Sequence, residues 1–132
     1  MSARSKARKE ALDLLYEADI RKVDPAQLLE NRREIEMREF AAQILSLVAE
    51  HRRKIDELIA TYAKGWDMDR MPAVDRNILR IAIAELMWSP DVPEAVAISE
   101  ALDLAKELST EESAGFIHGL LAQIAPLKTS LT

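Results

Sequence analysis

The chain of 132 residues contains no cysteine. That excludes a disulfide framework and every zinc or iron–sulfur site built on thiolates. Glycine and proline are scarce, at 3 and 5, and aromatic residues make up only 5%. Few breakers beside abundant Ala, Leu, Glu and Arg favour helix throughout. No long apolar run is present. The longest stretch, residues 81–87, is interrupted by Glu85 and falls far short of a membrane span. No apolar segment of signal-peptide length follows the charged N-terminus, so a cytoplasmic protein is expected. A phosphate-cradling GxxxxGK loop is absent. The two histidines, His51 and His118, have no partner at metal-ligand spacing. With no serine elbow motif either, an enzyme, a metal site and a bound cofactor are not expected.

What is present is a soluble composition, 48% hydrophobic and 31% charged, at a length that suits one domain over residues 1–132. The net charge of -5 conceals an asymmetry. Arg4, Lys6, Arg8 and Lys9 give the first nine residues +4, so the rest carries -9. A basic arm on an acidic body needs an explanation.

The apolar periods predict a succession of helices. Ala7, Ala11, Leu14, Leu15 and Ala18 define a first helix from about Ala3 to Arg21. Asp24 followed by Pro25 reads as an N-cap and first helical residue of a short second helix. From Ile35 a strong period runs through Met37, Phe40, Ile44, Val48, Ile55, Leu58 and Tyr62. So long a helix predicts a bend near His51. Gly65 is a candidate C-terminal cap. The helix after Pro72 is apolar almost all round and is expected at the centre of a bundle. A fifth helix should run from about Glu94 to Leu108, with Glu100 on its wet face. Ser109 and Glu112 have capping-box spacing for a sixth helix, which Pro126 ends.

Three features point beyond packing. In the basic arm, Lys9 and Tyr16 are seven apart and share a helix face, with Arg8 beside them. Cations near a stacking ring suit single-stranded RNA. Positive charge at a helix N-terminus also opposes the macrodipole by about 0.3–1 kcal/mol per group, which a function would offset. Arg76 and Arg80, four apart, form a second basic ridge on the apolar fourth helix, and Glu85 there must find water, a cation or a partner. Gly119 inside the last helix suggests a close backbone approach to another helix or a partner.

The pattern Ala7-Arg8-Lys9-Glu10-Ala11-Leu12 leading to Leu14-Leu15-Tyr16-Glu17-Ala18 resembles the start of the bacterial NusB antitermination family. Residues 70–82, Glu85-Leu86, Asp91-Val92-Pro93, Glu100-Ala101, Leu104-Ala105-Lys106 and Ser113 with Phe116-Ile117-His118-Gly119-Leu120-Leu121 resemble its later signatures, in order. Residues 106–110 and Gly65-Trp66 look most like actinobacterial members.

The resemblance implies an all-α, compact bundle of about six to seven helices in two three-helix halves. It implies no catalysis. It implies binding of boxA RNA together with the ribosomal protein NusE, within the RNA polymerase antitermination complex on ribosomal RNA operons. Arg4, Lys6, Arg8, Lys9, Tyr16, Arg76 and Arg80 then fall on or beside the RNA surface. Glu85, Phe116, His118 and Ala122 fall on the side facing NusE. A homodimer is also compatible with some family members. The chain departs from the family at Ala84, His118 and Ala122. Those departures keep a second reading open: a protein-interaction paralogue of the same fold with weak or no RNA binding.

Overall fold

The computed structural model describes residues 2–31 and 37–128. Among the described residues the architecture is all helical. In order these are α1 (Ala3–Arg21), α2 (Pro25–Glu30), α3 (Glu39–Tyr62), α4 (Ala73–Trp88), α5 (Glu94–Leu108) and α6 (Glu111–Ile124), closed by a 3-10 turn at Ala125–Leu127. Helices α1–α3 form one half and α4–α6 the other. Helix α4 packs against α1 and α3 as well as against α5 and α6, and so joins them.

Local chemistry sets the boundaries. Ser2 caps α1 by accepting from the Ser5 amide at 3.0 Å. Lys22 ends that helix in the left-handed region at φ 56. Asp24 caps α2, with Pro25 at its start. The cap of α6 lies one residue later than the spacing predicted. Thr110, not Ser109, accepts from the Ser113 amide, at 3.0 Å. Gly65, at φ +81, lies in the connector three residues beyond the end of α3.

No break in the helix marks the bend predicted near His51. Helix α3 runs unbroken from Glu39 to Tyr62. His51 stacks face to face on Trp88 of α4, with ring centroids 3.8 Å apart and planes 2° apart. Packing along α4 supports the helix where no breaker residue interrupts it. Ile35, where the apolar period began, lies outside the described residues.

The core is built from Leu12 and Leu15 of α1, Ile44, Ile55 and Ile59 of α3, Ile78, Leu79, Ile83 and Met87 of α4, and Ile117, Leu121 and Ile124 of α6. Helix α4 is buried on nearly every side, as its composition predicted. Its polar members Asp75, Asn77, Arg80 and Glu85 are buried with it, and they organise the site.

A candidate nucleic-acid interface braced by buried ion pairs

Helix α1 carries the basic arm, and its geometry divides the arm in two. Arg8 precedes Ala11, Leu12 and Leu15 by three, four and seven residues, so it shares their inward face. It is 2% exposed. Its guanidinium grips Glu85 of α4 with two bonds, Nε to Oε1 at 2.7 Å and Nη2 to Oε2 at 2.8 Å. A third bond reaches Glu100 of α5 at 3.1 Å. Ser5 donates to the same Glu100 oxygen at 2.6 Å. Burial disfavours the Arg8 charge, but hydrogen bonding to Glu85 and attraction to Glu85 and Glu100 outweigh it and raise the guanidinium above its ordinary value. The Phe40 ring lies 5.1 Å from the Arg8 guanidinium carbon and 4.4 Å from that of Arg4.

The expectation that Arg8 is a solvent-facing cation is therefore corrected. So is the placement of Glu85 on an open partner surface, since Glu85 is 1% exposed. Glu100, expected on a wet face, is largely covered by its contacts with Arg8 and Ser5. One buried cluster unites residues that had been assigned to two different surfaces.

The second basic ridge also turns inward. Asp19 of α1 accepts from Arg76 Nε at 2.8 Å, Asn77 Nδ2 at 2.8 Å and Arg80 Nη1 at 3.1 Å. Arg80 also holds Asp56 of α3 through two bonds, at 2.9 and 3.2 Å. Arg52 joins Asp56 at 3.2 Å, and Arg76 reaches the Met71 carbonyl at 3.2 Å. This network ties α4 to α1, α3 and the preceding connector. Burial raises the Asp19 carboxyl, but hydrogen bonds from Arg76 and Asn77 and the charges of Arg76 and Arg80 hold it below the usual carboxylate range.

The outer face of α1 is different. Lys6 and Tyr16 are exposed, and Lys6 forms no ion pair among the described residues. Lys9 is half-buried and lies 3.4 Å from Asp13, one turn on. Arg4 sits half-exposed at the helix start, paired with Asp91 at 2.8 Å. That bond is the main reason the exposed Asp91 carboxyl lies below its ordinary value. Arg38, just before α3, is held by Glu10. Arg4, Lys6, Lys9 and Tyr16 thus remain on the surface, while Arg8, Arg76 and Arg80 brace the bundle beneath it.

Helix α6 offers a separate surface. His118 and Ala122 are exposed, together with Gly115 and Gly119. A Cβ added at either glycine meets no atom within 4 Å. Among the described residues, therefore, no other helix makes the close approach suggested by Gly119. Phe116 is half-buried and leans on the exposed Trp66, with centroids 5.8 Å apart.

The sequence assigned no site role to Asp19, Asp56, Asn77, Glu100 or Phe40. A signal existed for Asp19, which continues the inward face four residues after Leu15. None existed for Glu100 or Phe40, whose partners lie far away in the chain, and for Asp56 only the i,i+4 spacing to Arg52 was local.

The model of the NusB family matches residues 5–126. A transcription antitermination protein NusB of Thermobifida fusca is 51% identical, over 98% of this chain and 94% of its own length. A second, from Acidothermus cellulolyticus, is 48% identical over 100% of this chain and 93% of its own. Among solved structures, NusB of T. maritima superposes with a TM-score of 0.84 at 32% identity, covering 95% of this chain and 92% of that one. A chain from a crystal structure of the antitermination factors NusB and NusE in complex with double-stranded RNA gives 0.79 at 26%, covering 93% and 96%. With the family model matched from α1 through α6 and about half of the residues identical to the Thermobifida fusca and Acidothermus cellulolyticus proteins, the chain belongs to the NusB family of transcription antitermination proteins, which are not enzymes.

Proposed function

We propose that this chain binds boxA-type RNA through the outer face of α1 and a NusE-class ribosomal protein through the outer face of α6. It would act in the cytoplasm, within the RNA polymerase antitermination complex on ribosomal RNA operons. The observation that carries the reading is the division of α1. Lys6, Lys9 and Tyr16 look outward while Arg8 looks inward. Cations along a helix beside an exposed ring can meet phosphates and stack an unpaired base. The NusB and NusE complex with RNA among its structural relatives supports the same pair of partners. In this reading Arg8, Arg76, Arg80 and Glu85 position the two faces and do not contact the ligands. Membership of one domain spanning residues 1–132 is part of the same proposal.

A second reading has an observation of its own. Arg4 is already paired with Asp91, and Lys9 has Asp13 nearby. Few unpaired cations remain on the arm, which favours a protein-interaction module with weak RNA binding.

One titration separates them. The protein is mixed with boxA RNA across a salt series, with and without the cognate NusE protein. The first reading expects binding that NusE strengthens and that falls steeply with salt as counterions are released. Binding of NusE with no RNA binding under either condition selects the second reading. Binding of neither partner overturns both.

A further inference from the structure

At the junction of the α3–α4 connector and the start of α6 lies a cavity of about 400 Å³, a size typical of ligand sites. Trp66 and Phe116 supply aromatic wall, and Asp75, Glu112 and Ser113 supply polar groups. No basic residue lines it. Neither acid has an ion pair among the described residues.

Asp75 is the unusual member. It is 3% exposed, in the first turn of α4. Its Oδ2 accepts from Ser113 Oγ at 2.7 Å. Thr110 and Ser109 stand on the far side of that hydroxyl, at 3.1 and 3.0 Å, and orient it toward Asp75. Oδ1 is buried with no hydrogen-bond partner among the described residues. A buried carboxyl oxygen without a donor is costly, because its desolvation is not repaid by a hydrogen bond. The helix N-terminus eases the charge but brings no donor to that atom.

We infer that this cavity is a receptor for an arginine side chain of a protein partner. The guanidinium plane would lie on Trp66, whose exposed indole is the strongest cation–π partner among side chains. Its N–H groups would reach the free oxygen of Asp75, with Glu112 at the second polar position. A planar, weakly hydrated cation with several donors fits an aromatic wall and a carboxylate together better than an ammonium does. Nucleic acid is disfavoured, because two acids without cations repel phosphate. The inference rests on the reading that a protein partner docks beside α6, and it assigns that partner one anchoring residue.

Two measurements test it separately. In the first, the protein alone is titrated with butylguanidinium chloride, and with butanol as the uncharged control, at constant ionic strength. The Trp66 indole N–H and the Ser113 amide are followed by NMR. A saturable shift with butylguanidinium, absent with butanol and weakened at least fivefold in Asp75→Asn, is expected. Trp66→Ala, at an exposed position, gives the same loss read at Ser113 and covers the case in which Asp75→Asn does not fold. No saturable shift, or an equal response to butanol, overturns the inference. In the second, affinity for the cognate NusE protein is compared among wild type, Asp75→Asn and Trp66→Ala. A loss of about tenfold in each variant is expected. Wild-type affinity in both overturns the arginine anchor while leaving the partner reading intact. Saturable guanidinium binding with no NusE binding by the wild type retains the cavity's chemistry and removes that partner.

Discussion

Replacing Arg8 tests whether the arm is surface or scaffold. Arg8→Met keeps an unbranched apolar stem and deletes the charge. Glu85 is then left at 1% exposure with no cation, and Glu100 loses its bond at 3.1 Å. Breaking a buried pair by removing one partner costs about 3–5 kcal/mol, and the side chains, at 3% and 2% exposure, are too dry for solvent screening to discount it. At roughly 3 °C per kcal/mol for a chain of this length, Tm should fall by about 10–15 °C. Urea denaturation followed by circular dichroism gives the free energy directly. The double variant Arg8→Met with Glu85→Leu removes both charges, so it should recover most of the loss. A fall of under about 3 °C for the single variant would refute the reasoning and return Arg8 to the surface. Equal losses for the single and double variants would show that packing of the arginine stem, not the ion pair, is what α1 supplies.

Other outcomes follow from the same geometry. The lowered Asp19 carboxyl contributes stability that is fully present above its unfolded value near 3.8 and is lost as pH falls through the folded value. Asp19→Asn should therefore flatten the acid limb of stability below about pH 4, read by urea midpoints across pH; an unchanged limb would place the acid sensitivity elsewhere. Thr110→Ala should cost about 1 kcal/mol by removing the α6 cap. Ser109→Ala should cost clearly less, and the reverse order in thermal melts would restore the cap to Ser109. Lys6→Ala and Tyr16→Ala should leave Tm within about 2 °C, since both side chains are exposed. If the α1 face binds RNA, Lys6→Ala should also reduce the salt slope by about 0.7, the value for one single-strand phosphate contact. An unchanged slope would remove Lys6 from the interface.

Much of the fold was legible because helices are local. The limits of α1 and α5 match the expected Ala3–Arg21 and Glu94–Leu108, since apolar period and end signals lie within a few residues of each other. The central burial of α4 followed from a surface with no wet side. Helix α3 has no break at His51, since helix length alone predicts none; the stack of His51 on Trp88 lies between helices and leaves no local sign. The site was read less well. Its charges were counted correctly, but Arg8, Arg76 and Arg80 point into the bundle and only Arg4, Lys6 and Lys9 stay on its surface. Even so, the inward face of Arg8 was present in its spacing to Leu12 and Leu15.

By itself, then, the sequence determined an all-helical, cysteine-free chain with basic residues gathered at its start. Those properties depend on composition and on neighbours within one or two turns. Only the tertiary structure decided which cations are free. Glu85 and Glu100 lie 77 and 92 residues from Arg8, and Asp19 lies 57 and 61 from Arg76 and Arg80. A long charged side chain can go to water or to a buried partner, and that choice is made by the groups which folding brings within about 3 Å. It paired Arg8, Arg76 and Arg80 with carboxylates inside the bundle, left Lys6 and Tyr16 outside, and gave Asp75 an oxygen with no partner among the described residues.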